Sequence, residues 1–171
     1  VTAGDVVDTD KQVEISQLAE TLKQDYSNTQ YAFYAALIKA KLAVEGTDLS
    51  AAAVELQWAM DNAGETVSEN IARLRLARVE AAAGNLDKAL QLVQGVDAGE
   101  LKSAFDEAKG DFYQLQGNAA AAYTAYEAAM MGIDAGNSSA SQLLQLKISQ
   151  VKPVVSKTVE VEESVEQDDA S

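Results

Sequence analysis

Apolar residues recur at helical spacing along most of the chain, and short polar or glycine-bearing turns interrupt them. Residues 10–26 carry Val13, Ile15, Leu18, Leu22 and Tyr26, the stripe of an amphipathic helix. Residues 30–45 and 49–62 form a helical pair around Gly46-Thr47-Asp48. Residues 67–83 place Ile71, Leu74, Leu76, Ala77 and Val79 on one stripe, with Ser68 as the candidate cap and Gly84 as the stop. Leu86, Ala89, Leu90 and Val93 mark residues 86–95, closed by Gly95. Residues 100–116 carry Leu101, Ala104, Phe105, Ala108, Phe112 and Leu115, and residues 118–131 carry Ala122, Tyr123, Tyr126 and Met130. A last helix over 138–151 holds Leu143, Leu144, Leu146, Ile148 and Val151. The pattern predicts an all-α chain of eight main helices with no substantial sheet.

The same pattern repeats. Gly84-Asn85-Leu86-Asp87-Lys88-Ala89 has an echo 33 residues on, at Gly117-Asn118-Ala119-Ala120-Ala121-Ala122. Four residues beyond the last alanine of each comes Val93 or Tyr126. An earlier copy runs from Gly46 through Ala52 to Leu56; its 37-residue offset from Ala52 to Ala89 suggests a longer connection there. Small residues at 52, 89 and 122 would let the two helices of a pair approach closely, and stacked pairs would share one core. Three helix pairs with one flanking helix at each end account for the offsets.

Composition narrows the chemistry. The chain of 171 residues has no Cys and no His, so thiolate catalysis, Cys-ligated zinc and imidazole acid–base chemistry are excluded. It carries 13 basic and 27 acidic residues, a net charge of −14, which disfavours nucleic acid and anionic lipid as partners. No phosphate-binding glycine loop occurs, no cofactor is implied, and the acids are spread over helix surfaces, so an enzyme is not expected. Asp5, Asp8 and Asp10 have the spacing that opens a calcium loop but lack its glycine and closing glutamate, so no metal site is expected. The single proline, Pro153, should end the last helix. Beyond it six acids stand against Lys157, around a Val159-Glu160-Val161-Glu162 alternation that could pair as a short strand but reads better as an extension. The expected organisation is an N-terminal linker over 1–9, a helical domain over 10–152, and an acidic tail over 153–171.

Gly110-x-x-Tyr113 and Ala122-x-x-x-Tyr126 match the tetratricopeptide signature, and Leu76-Ala77 with Gly84-Asn85 and Ala89 matches it partly, with Glu80 where an aromatic belongs. The string Arg73-Leu74-Arg75-Leu76-Ala77-Arg78-Val79, with Asn28-Thr29-Gln30-Tyr31-Ala32 and Leu146-Lys147-Ile148, resembles the YfgM-type ancillary subunits of the bacterial SecYEG translocon over residues 10–151. That resemblance implies a right-handed tetratricopeptide superhelix held in the periplasm by a single inner-membrane helix. It also implies partners: the SecYEG translocon, a PpiD-like periplasmic chaperone, and secreted client chains passed between them. A tetratricopeptide adaptor in another envelope assembly is the alternative. The acidic tail departs from the family pattern, and no function carries over to it.

In tetratricopeptide folds the first helix of each pair lines the concave face. Counting back from Gly84 gives Ile71, Leu74, Arg75, Arg78 and Ala82; from Gly117, Ala104, Glu107, Asp111, Gln114 and Leu115; from Gly46, Phe33, Ala36, Leu37 and Ala40. The candidate partner-binding groove is therefore Phe33, Leu37, Leu74, Arg75, Arg78, Asp111 and Gln114. Arg75 and Arg78 either anchor a carboxylate or carbonyl of a bound chain, or pair with Glu69, Glu80 or Asp111 and fix the packing; the pairing is the preferred reading. Trp58, Tyr113, Tyr123 and Tyr126 read as packing residues. The Lys/Asn clamp of cytosolic chaperone-tail binders is absent.

Overall fold

Three tight turns set the architecture. In the computed structural model, which describes residues 9–133 and 138–151, Thr47, Gly84 and Gly117 adopt left-handed backbone with φ of 62°, 86° and 77°. The amide of each bonds three residues back, to Val44, Ala81 and Gln114, and the next amide bonds five back, to Ala43, Glu80 and Tyr113. This is the Schellman ending, which satisfies the last carbonyls of a helix and reverses the chain. A second helix starts at once: Asp48 and Asn118 accept from Ala51 N and Ala121 N as side-chain caps.

The helices run in chain order as α1 (Thr9–Asp25), α2 (Gln30–Glu45), α3 (Leu49–Asp61), α4 (Thr66–Ala82), α5 (Leu86–Val93), a 3-10 turn (Gly99–Leu101), α6 (Lys102–Leu115), α7 (Ala119–Met131) and α8 (Ser138–Val151). Each helix packs on its neighbours in sequence, so the pairs α2–α3, α4–α5 and α6–α7 stack in line. The all-helical repeat expected from the pattern is the fold observed. Among the described residues no helix is long and apolar enough to cross a membrane.

The core follows the repeat. Ala52, Ala89 and Ala122 are fully buried, and Leu56, Val93 and Tyr126 fill the space one turn on. Gly110 faces Tyr126 so closely that a Cβ there would lie 2.3 Å from the ring. Trp58 packs in the first cluster beneath the Lys23 ammonium, 5.0 Å from its ring.

Two local expectations are corrected. The connection between the first two pairs is short, residues 62–65, and the extra length there is helical: α3 has 13 residues where α5 has 8. Ser68 does not cap α4; Glu65 already holds the extended N-cap position, so helical geometry begins two residues before Ser68. Pro153, the tail and its Val/Glu alternation lie outside the described residues, as do Asp5 and Asp8.

Candidate partner-binding groove

The shared turn geometry fixes which residues of the first helices are equivalent. Thr47, not Gly46, takes the left-handed place of Gly84 and Gly117. Counting from Gly46 is therefore one residue out, and one residue rotates a helical position by about 100°. Phe33, Ala36, Leu37 and Ala40 are buried. The residues in register with Ile71, Arg75, Arg78 and Ala82 are instead Tyr34, Ile38, Lys41 and Glu45, and all four are exposed. Lys41, Arg78 and Asp111 thus hold one position in three successive first helices.

Between α2 and α4 lies an open slot of about 340 Å³. Leu37, Ala40, Leu56 and Val79 form its apolar floor, Val44 one wall, and Lys41, Arg75 and Arg78 its cationic rim, with Glu45 beside Lys41. Lys41 Nζ sits 3.5 Å from Glu45 Oε1, and both are well exposed. Arg75 and Arg78 are exposed and have no hydrogen bond or ion pair among the described residues. The partners expected for them are engaged elsewhere. Glu69 pairs with Arg73 one turn along α4. Glu80 is buried and accepts from Lys88 Nζ at 2.6 Å and Asn85 Nδ2 at 2.8 Å. Burial pushes the Glu80 carboxyl up, but these two donors outweigh it and hold its pKa below the ordinary value. Asp111 pairs with Lys147. The preferred pairing is thereby overturned, and two solvated guanidiniums are left over an apolar floor in an acidic chain.

A family model for tetratricopeptide repeat-like domains matches residues 3–153. The chain is 30% identical over 140 residues to an ancillary SecYEG translocon subunit of Aggregatibacter actinomycetemcomitans, covering 82% of this chain and 67% of that one. It is 31% identical over 130 residues to an ancillary SecYEG translocon subunit of Haemophilus influenzae, covering 76% of this chain and 62% of that one. This chain belongs to the tetratricopeptide repeat-like family of ancillary SecYEG translocon subunits. It spans about two thirds of the length of these relatives. No solved structure matches it significantly.

The other groove positions of this family member divide by burial. Leu37, Arg75 and Arg78 meet in the slot. Leu74 does not join them: it is buried with Ala77, Leu90 and Phe105 in the second core cluster. Phe33 sits in the core and borders a small polar recess at the starts of α2 and α4. Asp111 and Gln114 belong to a different cluster. The Tyr126 hydroxyl lies 2.8 Å from Asp111 Oδ1 and 2.8 Å from Gln114 Oε1, and Lys147 Nζ reaches both Glu107 and Asp111 at 2.7 Å. Burial, and then the bond to Asp111, raise the Tyr126 pKa well above that of a free phenol. Burial lowers that of Lys147, but its bonds to Asp111 and Glu107 outweigh this and raise it.

The structure adds residues that the Gly46 count hid. Lys41 completes the cationic rim, and Tyr34 and Ile38 continue the surface toward α1. There Ile15, Leu18 and Leu22 with Tyr31, Tyr34 and Ile38 line an apolar groove of about 280 Å³. The signal that would have found them was Thr47 standing, like Gly84 and Gly117, immediately before an Asp or Asn. Among the described residues no group of acids could hold a metal ion.

Proposed function

We propose that this domain is a non-enzymatic protein-binding scaffold ancillary to the Sec translocon, on the periplasmic side of the inner membrane. In this reading a single membrane helix outside this sequence anchors it through a linker over residues 1–9. The domain over 10–152 presents the groove, linking secreted chains to a PpiD-like periplasmic chaperone. The names of the relatives support the association with the translocon.

The observation that carries the binding role is the slot between α2 and α4. Two guanidiniums without partners among the described residues stand over Leu37, Leu56 and Val79, where a bound segment could bury apolar side chains and present a carboxylate or carbonyl to Arg75 and Arg78. Leaving such cations unpaired costs little in water, and their attraction strengthens when a partner displaces that water.

The test is partner capture by the double variant R75E/R78E, offered solubilised translocon and a PpiD-like chaperone separately. One hydrogen bond to a charged group contributes roughly 1.5–3 kcal/mol, so capture should weaken by about tenfold or more. Both arginines are exposed, so the helical circular dichroism should not change. Capture equal to the parent's would remove the slot from the binding surface.

A further inference from the structure

The geometry points to the chain's own acidic tail, residues 159–166, as an occupant of the slot between α2 and α4. The inference concerns the regulation of the proposed site and rests on that slot being a binding surface. The slot asks for a short segment with apolar residues for its floor and carboxylates for its rim. Val159-Glu160-Val161-Glu162-Glu163-Ser164-Val165-Glu166 supplies both: three valines and four glutamates in eight residues. In an extended segment alternate side chains point to opposite sides, so Val159 and Val161 can face Leu37, Leu56 and Val79 while Glu160 and Glu162 stay at the level of the long rim side chains. Lys41, Arg75 and Arg78 offer three positive charges there against the single acid Glu45.

The tail begins close enough. Lys147 on α8 is bound to Asp111 on α6, and Asp111 stands where Arg78 stands on α4. The end of α8 at Val151 is therefore about two helix spacings from Arg78, on the order of 20 Å. Residues 152–158 can span about 23 Å when extended. A linker of that length can bring residue 159 to the rim, and the glutamates follow it. Bound in this way, the tail competes with any partner for the same cations.

The test uses the full chain. It contains no cysteine, so Ser164→Cys places a single nitroxide label within the tail. Amide signals of residues 37–45 on α2 and 75–79 on α4 should lose intensity selectively. The loss should disappear in 1 M salt, where screening shortens to about 3 Å, and in R75E/R78E. Because that variant alters the folded body, a second one neutralises only the tail: E160Q/E162Q/E163Q/E166Q should abolish the same loss with the rest of the spectrum unchanged. Signal loss spread evenly over the surface, or surviving in both variants, overturns the assignment. Loss that appears on unlabelled chains mixed with labelled ones, and grows with concentration, means docking on a neighbouring copy and overturns docking within one chain. No translocon or chaperone is present, so failure here leaves the partner-capture test standing, and failure there leaves this one readable.

Discussion

Thr47 shows how much one residue decides. Its φ of 62° is a conformation in which a β-branched side chain is strained, and glycine holds the same place in the next two turns. The strain persists because the Schellman bonds from Thr47 and Asp48 close α2 and start α3. Thr47→Gly should relieve it and stabilise the fold by about 1 kcal/mol, read from the midpoint of urea unfolding. A loss of stability would mean that Gly46 sets the register after all. Glu80 makes a related point. It occupies the position that Tyr113 holds in the next repeat, and it remains charged in the interior because Lys88 and Asn85 both donate to it.

At the scale of elements, the two ends of the stack are fastened by charge as well as by apolar contact. Glu55 on α3 accepts from Lys23 on α1 at 2.6 Å and from Lys39 on α2 at 2.7 Å, drawing three helices together. At the other end, Lys147 ties α8 to α6 while Leu144, Ile148 and Val151 pack in the cluster around Tyr126. Lys147→Ala would strand Asp111 and Glu107 beside each other. The cost should be about 1–2 kcal/mol, since both carboxylates keep some water and screening trims the full value of a charged hydrogen bond. Amide exchange should accelerate in α8 and stay near parental rates in α2 to α5. Uniform acceleration along the chain would mean that α8 does not open separately.

For the whole molecule, the shifted groups define a plateau of stability in pH. Glu20, Glu80 and Asp106 have folded pKa values below their ordinary ones. The stability they add is present above the unfolded carboxyl values of about 4 and is lost as pH falls through the lower folded values. Lys39, Lys147 and Tyr126 are shifted upward. Their contribution is complete below about pH 10 and is lost as pH rises through the folded values. Urea midpoints should therefore stay level from about pH 5 to 9 and fall on both sides. A maximum near the acidic isoelectric point would contradict this assignment.

The number, order and bounds of the helices were legible in the chain because each is a long apolar stripe closed by a turn residue, and such signals are local. The alanines at 52, 89 and 122 were legible because a close approach recurs wherever the pair recurs. The YfgM-like string around Arg73–Val79 carried the family for the same reason: it lies within one helix. What the tertiary structure decided was facing. A helical stripe does not say which of its edges meets solvent, so the burial of Phe33 and Leu74 and the exposure of Tyr34, Ile38 and Lys41 followed from the left-handed turn at Thr47 and from the neighbours stacked on each side. Charge pairing was decided there too. Glu69, Glu80 and Asp111 could each have paired with the groove arginines by sequence distance or repeat position. Only the packed helices gave them to Arg73, Lys88 and Lys147, leaving Arg75 and Arg78 without an ion pair among the described residues, because an ion pair depends on where two helices bring their side chains together.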